Sequence, residues 1–201
     1  KFEYESLLKG INAWNTFGQY VLYLEWNFRF EFALGQIERE ESPMVMAELA
    51  ALISSLFIVD WSEELKKSGD IAMYALRTDH LEGGNSTSLH SWFVFELYCR
   101  SQGMILDKEG LSYPDSLGIY QKTLNYWDTP DIKLVDQLVS ELCEYHINHS
   151  SEKDDYEFQD WTYFVFPYEI LGWLSLRKKM SLPNPETYSH ELMRLSINRL
   201  P

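Results

Sequence analysis

Hydrophobic residues recur along most of this chain at steps of three and four positions, the spacing that collects side chains on one face of a helix. The first such stretch, residues 10–36, contains the stripe Ile11, Trp14, Phe17, Val21, Leu24 and Phe28. The cleanest stretch follows Pro130 and contains the stripe Leu134, Val135, Leu138, Val139, Leu142, Cys143 and His146. Acidic residues lie outside that second stripe, and both stretches predict amphipathic α-helices.

Capping and turn residues indicate where the predicted helices begin and end. A small polar residue or a proline suits the first turn of a helix. Such residues stand at Ser42 with Pro43, at Ser62 with Glu63, at Thr129 with Pro130 and Asp131, and at Pro167. Gly103 stands where the helix over residues 89–102 is expected to end in a left-handed residue.

These patterns predict an all-α fold in which about seven to nine helices pack in a single domain over residues 1–201. The polar, glycine-rich loop at 83–88 is the place where that domain would divide. No alternating stretch is long enough to predict a strand, except that the aromatic and β-branched residues 162–166 allow a minor short strand pair.

The composition favours a folded protein with a basic partner. The chain has 201 residues and is 45% hydrophobic and 15% aromatic, which is enough for one buried core and argues against intrinsic disorder. Its 31 acids and 17 bases give a formal net charge of −14, so neither nucleic acid nor an anionic membrane is an expected partner. The most apolar run, 49–59, is about half the length of a membrane span. Cys99 and Cys143 both fall in apolar helical patterns, which favours a cytoplasmic protein over a disulfide framework.

Half of the net charge lies in residues 129–165, which contain nine acids and two bases. Such a concentration of one sign suits a docking surface for a cationic protein, because complementary charge raises the rate of encounter. The residues predicted to contact a partner are Glu141, Glu144, Glu152, Asp154, Asp155, Glu157 and Asp160. The alternative is that this segment is a solvated acidic loop that keeps the protein soluble.

One group of residues resembles half of a metal site. Cys143, His146 and His149 follow one another at three-residue steps, and Asp154 and Asp155 come shortly after. A structural zinc site needs four ligands and a catalytic one needs three with a water, but no second pair of Cys or His stands at motif spacing. The alternative is that Cys143 and His146 complete the buried stripe while His149 ends the helix. We therefore expect no metal and no cofactor.

Other catalytic signatures are missing from the chain. No Gly-x-Ser-x-Gly elbow, phosphate-binding loop or dinucleotide fingerprint occurs, and no catalytic residue is assigned. Trp26, Phe28, Phe30 and Phe32 alternate with charged residues in a way that would allow stacking on nucleic-acid bases. Stacking platforms come with positive grooves, so in this acidic chain we assign these aromatic side chains to the core.

Several stretches resemble helical bacterial proteins encoded beside polymorphic toxins. They are FPYEILGWLSLR at 166–177, LPNP at 182–185, HELM at 190–193, LCEYHINHS at 142–150 and WFVFELY at 92–98. Together they are loosely similar to the PoNi-type immunity proteins that accompany type VI secretion effectors. The similarity covers about the C-terminal half of the chain and is absent over the first eighty residues. It implies an all-helical inhibitor that binds one cognate toxin, and it implies no catalytic residue.

The sequence thus predicts a non-catalytic immunity protein that neutralises a basic toxin through an acidic surface. Two alternatives from other functional classes stay open. One is a metal-dependent helical enzyme that uses His146 and His149, and the other is an intracellular scaffold or homo-oligomer whose aromatic helices pair with copies of themselves.

Overall fold

Helices account for most of the computed structural model, which describes residues 14–38, 44–78, 81–82, 88–153 and 156–200. The first helices are α1 (Trp14–Glu38), α2 (Met46–Ile58), α3 (Ser62–Ala75) and α4 (Leu89–Ser101). The later ones are α5 (Ile119–Asn125), α6 (Ile132–Asn148), α7 (Tyr168–Lys179) and α8 (Glu191–Arg194), followed by a 3₁₀ turn at Ser196–Asn198. The predicted cap at Ser42 and Pro43 and the loop residues 83–87 lie outside the described residues.

The all-α prediction is confirmed, and the eight α-helices of the described residues fall within the expected number. The β-structure described is small: β1 (Met44–Val45) pairs in parallel with β2 (Leu81–Glu82), and one isolated bridge joins Ser150 to Phe158. None of the described helices combines the length and the apolar character that crossing a membrane requires.

The prediction of a minor strand pair at 162–166 is wrong, because this stretch folds into consecutive turns. Its backbone hydrogen bonds are local: the Tyr163 amide donates to the Asp160 carbonyl over 3.0 Å, and the Phe166 amide donates to the Tyr163 carbonyl over 3.0 Å. The Asp160 carboxylate also accepts from the amide and the hydroxyl of Thr162. Because these backbone groups form hydrogen bonds within the turns, they do not need the partners that a neighbouring strand would supply.

Helix α2 lies at the centre of the core. Every residue from Leu49 to Ile58 is buried, and the helix packs against α7, α4, α3 and α1. Gly172 of α7 allows a very close approach, since a Cβ atom there would lie 3.0 Å from the Cβ of Ser54. Helices that precede and follow residues 83–87 therefore share one hydrophobic core.

Helix α6 folds as its sequence predicts. Its buried residues are Val135, Leu138, Val139, Leu142, Cys143 and His146. Asp131 caps its first turn, because one carboxylate oxygen accepts from the amides of Lys133 and Leu134 over 2.9 and 3.3 Å. The helix ends at His149, whose ring Nδ1 hydrogen-bonds the carbonyl of Tyr145.

The last turn of α4 also follows the prediction. Gly103 has a φ of 68°, and the Met104 amide donates to the Cys99 carbonyl over 2.8 Å, as in a Schellman motif. Helix α7 ends in the same way with Ser181 at a φ of 59°, where a side chain is less favourable than glycine.

Arg177, in the last turn of α7, is fully buried. Its guanidinium donates to the carbonyls of Trp127, Thr129 and Pro183 over 2.8 Å each. Burial lowers the pKa of this guanidinium, and the carbonyl dipoles compensate for the lost water. Arg177 thus fastens the loop before α6 and the loop after α7 to the core.

Candidate functional site

The structure divides the predicted acidic contact residues into three groups. Glu144, Glu152 and Asp160 are exposed. Glu141 is half-buried, and its carboxylate accepts from Lys122 over 2.7 Å and from Gln137 over 2.9 Å, so part of its charge is neutralised within the chain. Asp154 and Asp155 lie outside the described residues.

Glu157 forms the third group, because its side chain is only 5% exposed and faces the interior. One carboxylate oxygen accepts from the His90 amide and lies 2.7 Å from His90 Nδ1, and the other accepts from the Tyr145 hydroxyl over 2.6 Å. Burial acts to raise the pKa of Glu157, but these hydrogen bonds outweigh it and lower the pKa. The expectation that Glu157 belongs to a solvated acidic surface is therefore wrong.

A second buried pair joins His146 of α6 to Glu169 in the first turn of α7. Nδ1 of His146 lies 2.8 Å from Oε1 of Glu169, and Nε2 lies 2.9 Å from the carbonyl oxygen of Tyr163. Burial opposes a charge on His146, but the Glu169 carboxylate and the Tyr163 carbonyl raise the pKa of the imidazole above its ordinary value. Because both neighbours of the ring are acceptors, we assign a proton to each nitrogen of His146.

Phe158 connects the two pairs. Its ring centroid lies 4.6 Å from that of His90 and 4.1 Å from that of His146. The Phe158 amide donates to the carbonyl of His149 over 3.0 Å, and the Ser151 amide donates to the carbonyl of Phe158 over 3.0 Å. The segment that connects α6 to α7 is thus anchored to the core through residues 157 and 158, while Glu152 and Asp160 stay at the surface.

The geometry gives no support to a metal site at His146 and His149. Both ring nitrogens of His146 face protein oxygens, and Nδ1 of His149 hydrogen-bonds the carbonyl of Tyr145 while its ring stacks on the Tyr145 ring. Cys143 is buried, and burial raises the pKa of its thiol well above the usual range. Within the described ranges, no group of three or more His, Cys, Asp or Glu could hold a metal ion. The alternative that Cys143 and His146 complete the buried stripe is confirmed.

Hydrogen bonds connect Ser91 to His90 and His90 to Glu157, the order of residue types found in a serine–histidine–carboxylate triad. The Ser91 hydroxyl lies 3.2 Å from His90 Nε2, while His90 Nδ1 faces the Glu157 carboxylate. Ser91 is fully buried, and neither of the cavities described for this structure is lined by these residues. In this conformation the chain of hydrogen bonds fixes the first turn of α4 and offers no route for a substrate.

The outer face of α1 carries aromatic side chains that we assigned to the core from the sequence. Phe28 is buried and Phe32 half-buried, as expected, but Trp26 and Phe30 are 62% and 63% exposed. Tyr23, for which no burial was predicted, is 66% exposed. Together with the exposed Leu22, these three exposed side chains form what we call the aromatic stripe, which spans an arc of about 100° on the helix. Phe17, Val21 and Phe28 bury the opposite side of α1 in the core.

One flank of this stripe is acidic. Glu31 follows Tyr23 and Asn27 around the helix, and Asn27 donates to its carboxylate over 2.8 Å. Burial and the negative charges of Glu31 and Asp160 raise the pKa of Glu48, which stands in the first turn of α2. These three carboxylates, Glu31, Glu48 and Asp160, are called the acidic edge below.

A cavity of about 710 Å³ opens beside Leu22, at the N-terminal end of the stripe. Leu22 belongs both to the stripe and to the cavity wall, which also includes Trp14, Trp61 and Asp60. The apolar surface of α1 therefore continues into a concave region between the ends of α2 and α7.

Comparison with known proteins identifies no relative of this chain. No family model matches it, and neither a curated protein nor a solved structure does. The similarity to PoNi-type immunity proteins therefore stays a prediction.

Proposed function

We propose that this protein is a non-catalytic immunity protein that binds and neutralises a basic bacterial toxin. The observation that carries the proposal is the imbalance of charge at the surface. Of the 14 Lys and Arg side chains that the structure describes, at least nine lie within 4.0 Å of a carboxylate of the same chain. Arg177 is buried as well, so the bases are largely used within the fold and the surplus acids are presented to solvent.

An acidic surface of this kind suits a partner whose own function requires positive charge. A toxin that acts on an anionic substrate presents a basic cleft, and an acidic protein is attracted to that cleft at long range. The resemblance of the C-terminal half to immunity proteins supports the same proposal by a separate argument. The two free, buried cysteines are consistent with the cytoplasm as the place where such an inhibitor would act.

Within residues 129–165, called the acidic segment, we choose among the proposed contact residues by the exposure of their side chains. Glu144, Glu152 and Asp160 have the exposure that a contact needs, and Asp154 and Asp155 keep the role proposed from the sequence. Glu157 positions the segment from inside, and Glu141 is already paired with Lys122.

Co-expression with each protein encoded beside this gene tests the proposal. We expect one of these proteins to arrest growth, the present chain to restore growth, and the two to purify as a complex that weakens steeply with salt. Reversing the charge of Glu144, Glu152 and Asp160 to Lys should weaken the complex at least about tenfold.

The matched control reverses the same number of exposed charges elsewhere, as Glu109→Lys, Asp115→Lys and Glu186→Lys. It keeps the net charge of the first variant, so it separates a local contact from general attraction. If the two variants weaken the complex equally, the acidic segment is not part of the interface. Failure of every neighbouring protein to bind would reject the immunity function itself.

A further inference from the structure

We infer that the aromatic stripe of α1 is the surface on which a basic partner protein docks, through an apolar patch that carries Lys or Arg at its margin. This inference rests on the proposed function and adds an apolar contact to the acidic residues proposed there, of which Asp160 also belongs to the acidic edge. Its basis is the position of Leu22, Tyr23, Trp26 and Phe30 on one exposed face.

The stripe has no evident role in folding. Helix α1 is attached to the core by Phe17, Val21 and Phe28 on its other side, and by the contact of Phe17 with Phe166, whose ring centroids lie 5.6 Å apart. None of the other described helices exposes more than two large apolar side chains. Exposed apolar patches on soluble proteins mark interaction sites, and Trp and Tyr are the residues that contribute most where proteins bind one another.

The charge around the stripe selects the partner. On α1 the Glu31 carboxylate follows Tyr23 and Asn27 around the helix and accepts from the Asn27 side-chain amide over 2.8 Å. Glu31 and Asp160 both act electrostatically on Glu48, so the three carboxylates of the acidic edge belong to one field of negative charge.

The guanidinium of Arg29 lies over the Trp26 ring, and its charge is already balanced by the buried carboxylate of Glu25 at 3.1 Å. Lys67, which Arg29 influences electrostatically, is likewise paired with Glu63 at 2.8 Å. A partner with positive charge beside its apolar patch would relieve the repulsion among the carboxylates.

A second copy of the chain fits this surface less well. Two copies that met through their α1 helices would each bring a charge of −14. Like charges across an interface oppose association, so the same surface that attracts a basic protein disfavours self-association.

A peptide of defined pattern tests this inference even before the toxin is identified. The probe is a synthetic helical peptide of about 18 Leu and Lys residues in which the Leu side chains share one face. One control peptide has the same composition in scrambled order, and another replaces every Lys by Glu. Binding of each to the full chain is measured by calorimetry at two salt concentrations.

We expect the patterned basic peptide to bind at least about tenfold more tightly than either control peptide. The double variant Trp26→Ala with Phe30→Ala should abolish that preference, and Glu31→Gln with Glu48→Gln should weaken it and reduce its dependence on salt. The control variant Ile105→Ala with Tyr126→Ala removes exposed apolar side chains from other parts of the surface and should bind as the parent chain does.

Two results would overturn the inference. The first is equal binding of the patterned and scrambled peptides, or equal losses from the stripe variant and its control. The second is a dimer in sedimentation equilibrium that the stripe variant abolishes, since the occupant would then be another copy of the chain.

The growth assay separates this inference from the proposed function. If the stripe variant protects cells against the toxin as well as the parent chain does, the docking surface is wrong and the immunity function stands. If the parent chain protects against no neighbouring toxin, the immunity function is wrong, and the peptide experiment decides the surface on its own.

Discussion

Helices α1 and α6 both bury a regular apolar stripe, but their outer faces differ. The outer face of α6 carries Lys133, Gln137 and Glu144, as expected of a helix whose remaining surface meets water. The outer face of α1 carries the aromatic stripe instead. Helix α6 exposes two large apolar side chains, Ile132 and Ile147, near its two ends, whereas α1 exposes four on one face, which is the surface we propose for a partner.

The buried face of α6 contributes His146 to a fully buried pair with Glu169 of α7, whereas the Arg29–Glu25 pair of α1 is partly exposed. His146 and Glu169 are fully buried, so the removal of one leaves the other without its partner in a dry environment.

The largest expected effect follows from breaking this pair. Replacing His146 by Ala should lower the free energy of unfolding by about 3–5 kcal/mol, because Glu169 loses its hydrogen-bond donor and a cavity forms beside Phe158. Urea denaturation measures the change. The control Ile147→Ala, one residue further along α6 at an exposed position, should change stability by less than about 0.5 kcal/mol. Similar values for the two variants would mean that the pair is not a buried structural element.

The same substitution on the two helices sharpens the comparison directly. Leu142→Ala on the buried stripe of α6 should cost about 2–5 kcal/mol, since it leaves a cavity in the core. Leu22→Ala on the aromatic stripe should cost less than about 0.5 kcal/mol, since Leu22 is exposed in the free protein. A comparable loss of stability from both substitutions would show that the outer face of α1 is part of the core.

The pH dependence of stability is a smaller effect that arises from the α6 side of the molecule. The pKa of His146 is raised above its ordinary value of 6.5, so its contribution is complete below pH 6.5 and is lost as the pH rises through the folded-state pKa. The pKa of Glu157 is lowered below its ordinary value of 4.5, so its contribution is present above pH 4.5 and is lost as the pH falls through the folded-state pKa.

Denaturation at a series of pH values should therefore show these two contributions together between pH 4.5 and 6.5. His146→Gln should remove part of the decline on the alkaline side, and His149→Gln at the end of α6 serves as its control. An unchanged alkaline limb in His146→Gln would contradict the assigned protonation of the His146–Glu169 pair.

Local sequence patterns predict those structural features that depend only on residues close to each other in the sequence. The stripe of α6, the start of that helix at residues 129–131 and the left-handed Gly103 all rest on residues within one or two turns of each other, and all three are confirmed. The burial of Glu157 was missed because its partner His90 is 67 residues away, a pairing that no local pattern records.

Two other features escape local patterns for the same reason. Arg177 stands in the last turn of α7, where a cation suits the helix dipole, but the loops around residues 127–129 and 183–184 enclose it, and no local pattern records that these loops meet. The aromatic residues of α1 were assigned to the core because hydrophobicity indicates burial without saying whether a second chain supplies it. That is the part of the candidate site that only the folded structure reveals.

The indole N–H resonance of Trp26 in a ¹⁵N spectrum tests the central claim most directly. Substitution of Trp26 by Phe assigns the signal, and the fully buried Trp92 and Trp173 serve as internal references. On titration with the patterned basic peptide, or with the toxin once it is identified, we expect the Trp26 signal to shift and broaden while those of Trp92 and Trp173 stay in place. A saturated complex in which the Trp26 signal is unchanged would contradict the assignment of α1 as the docking surface.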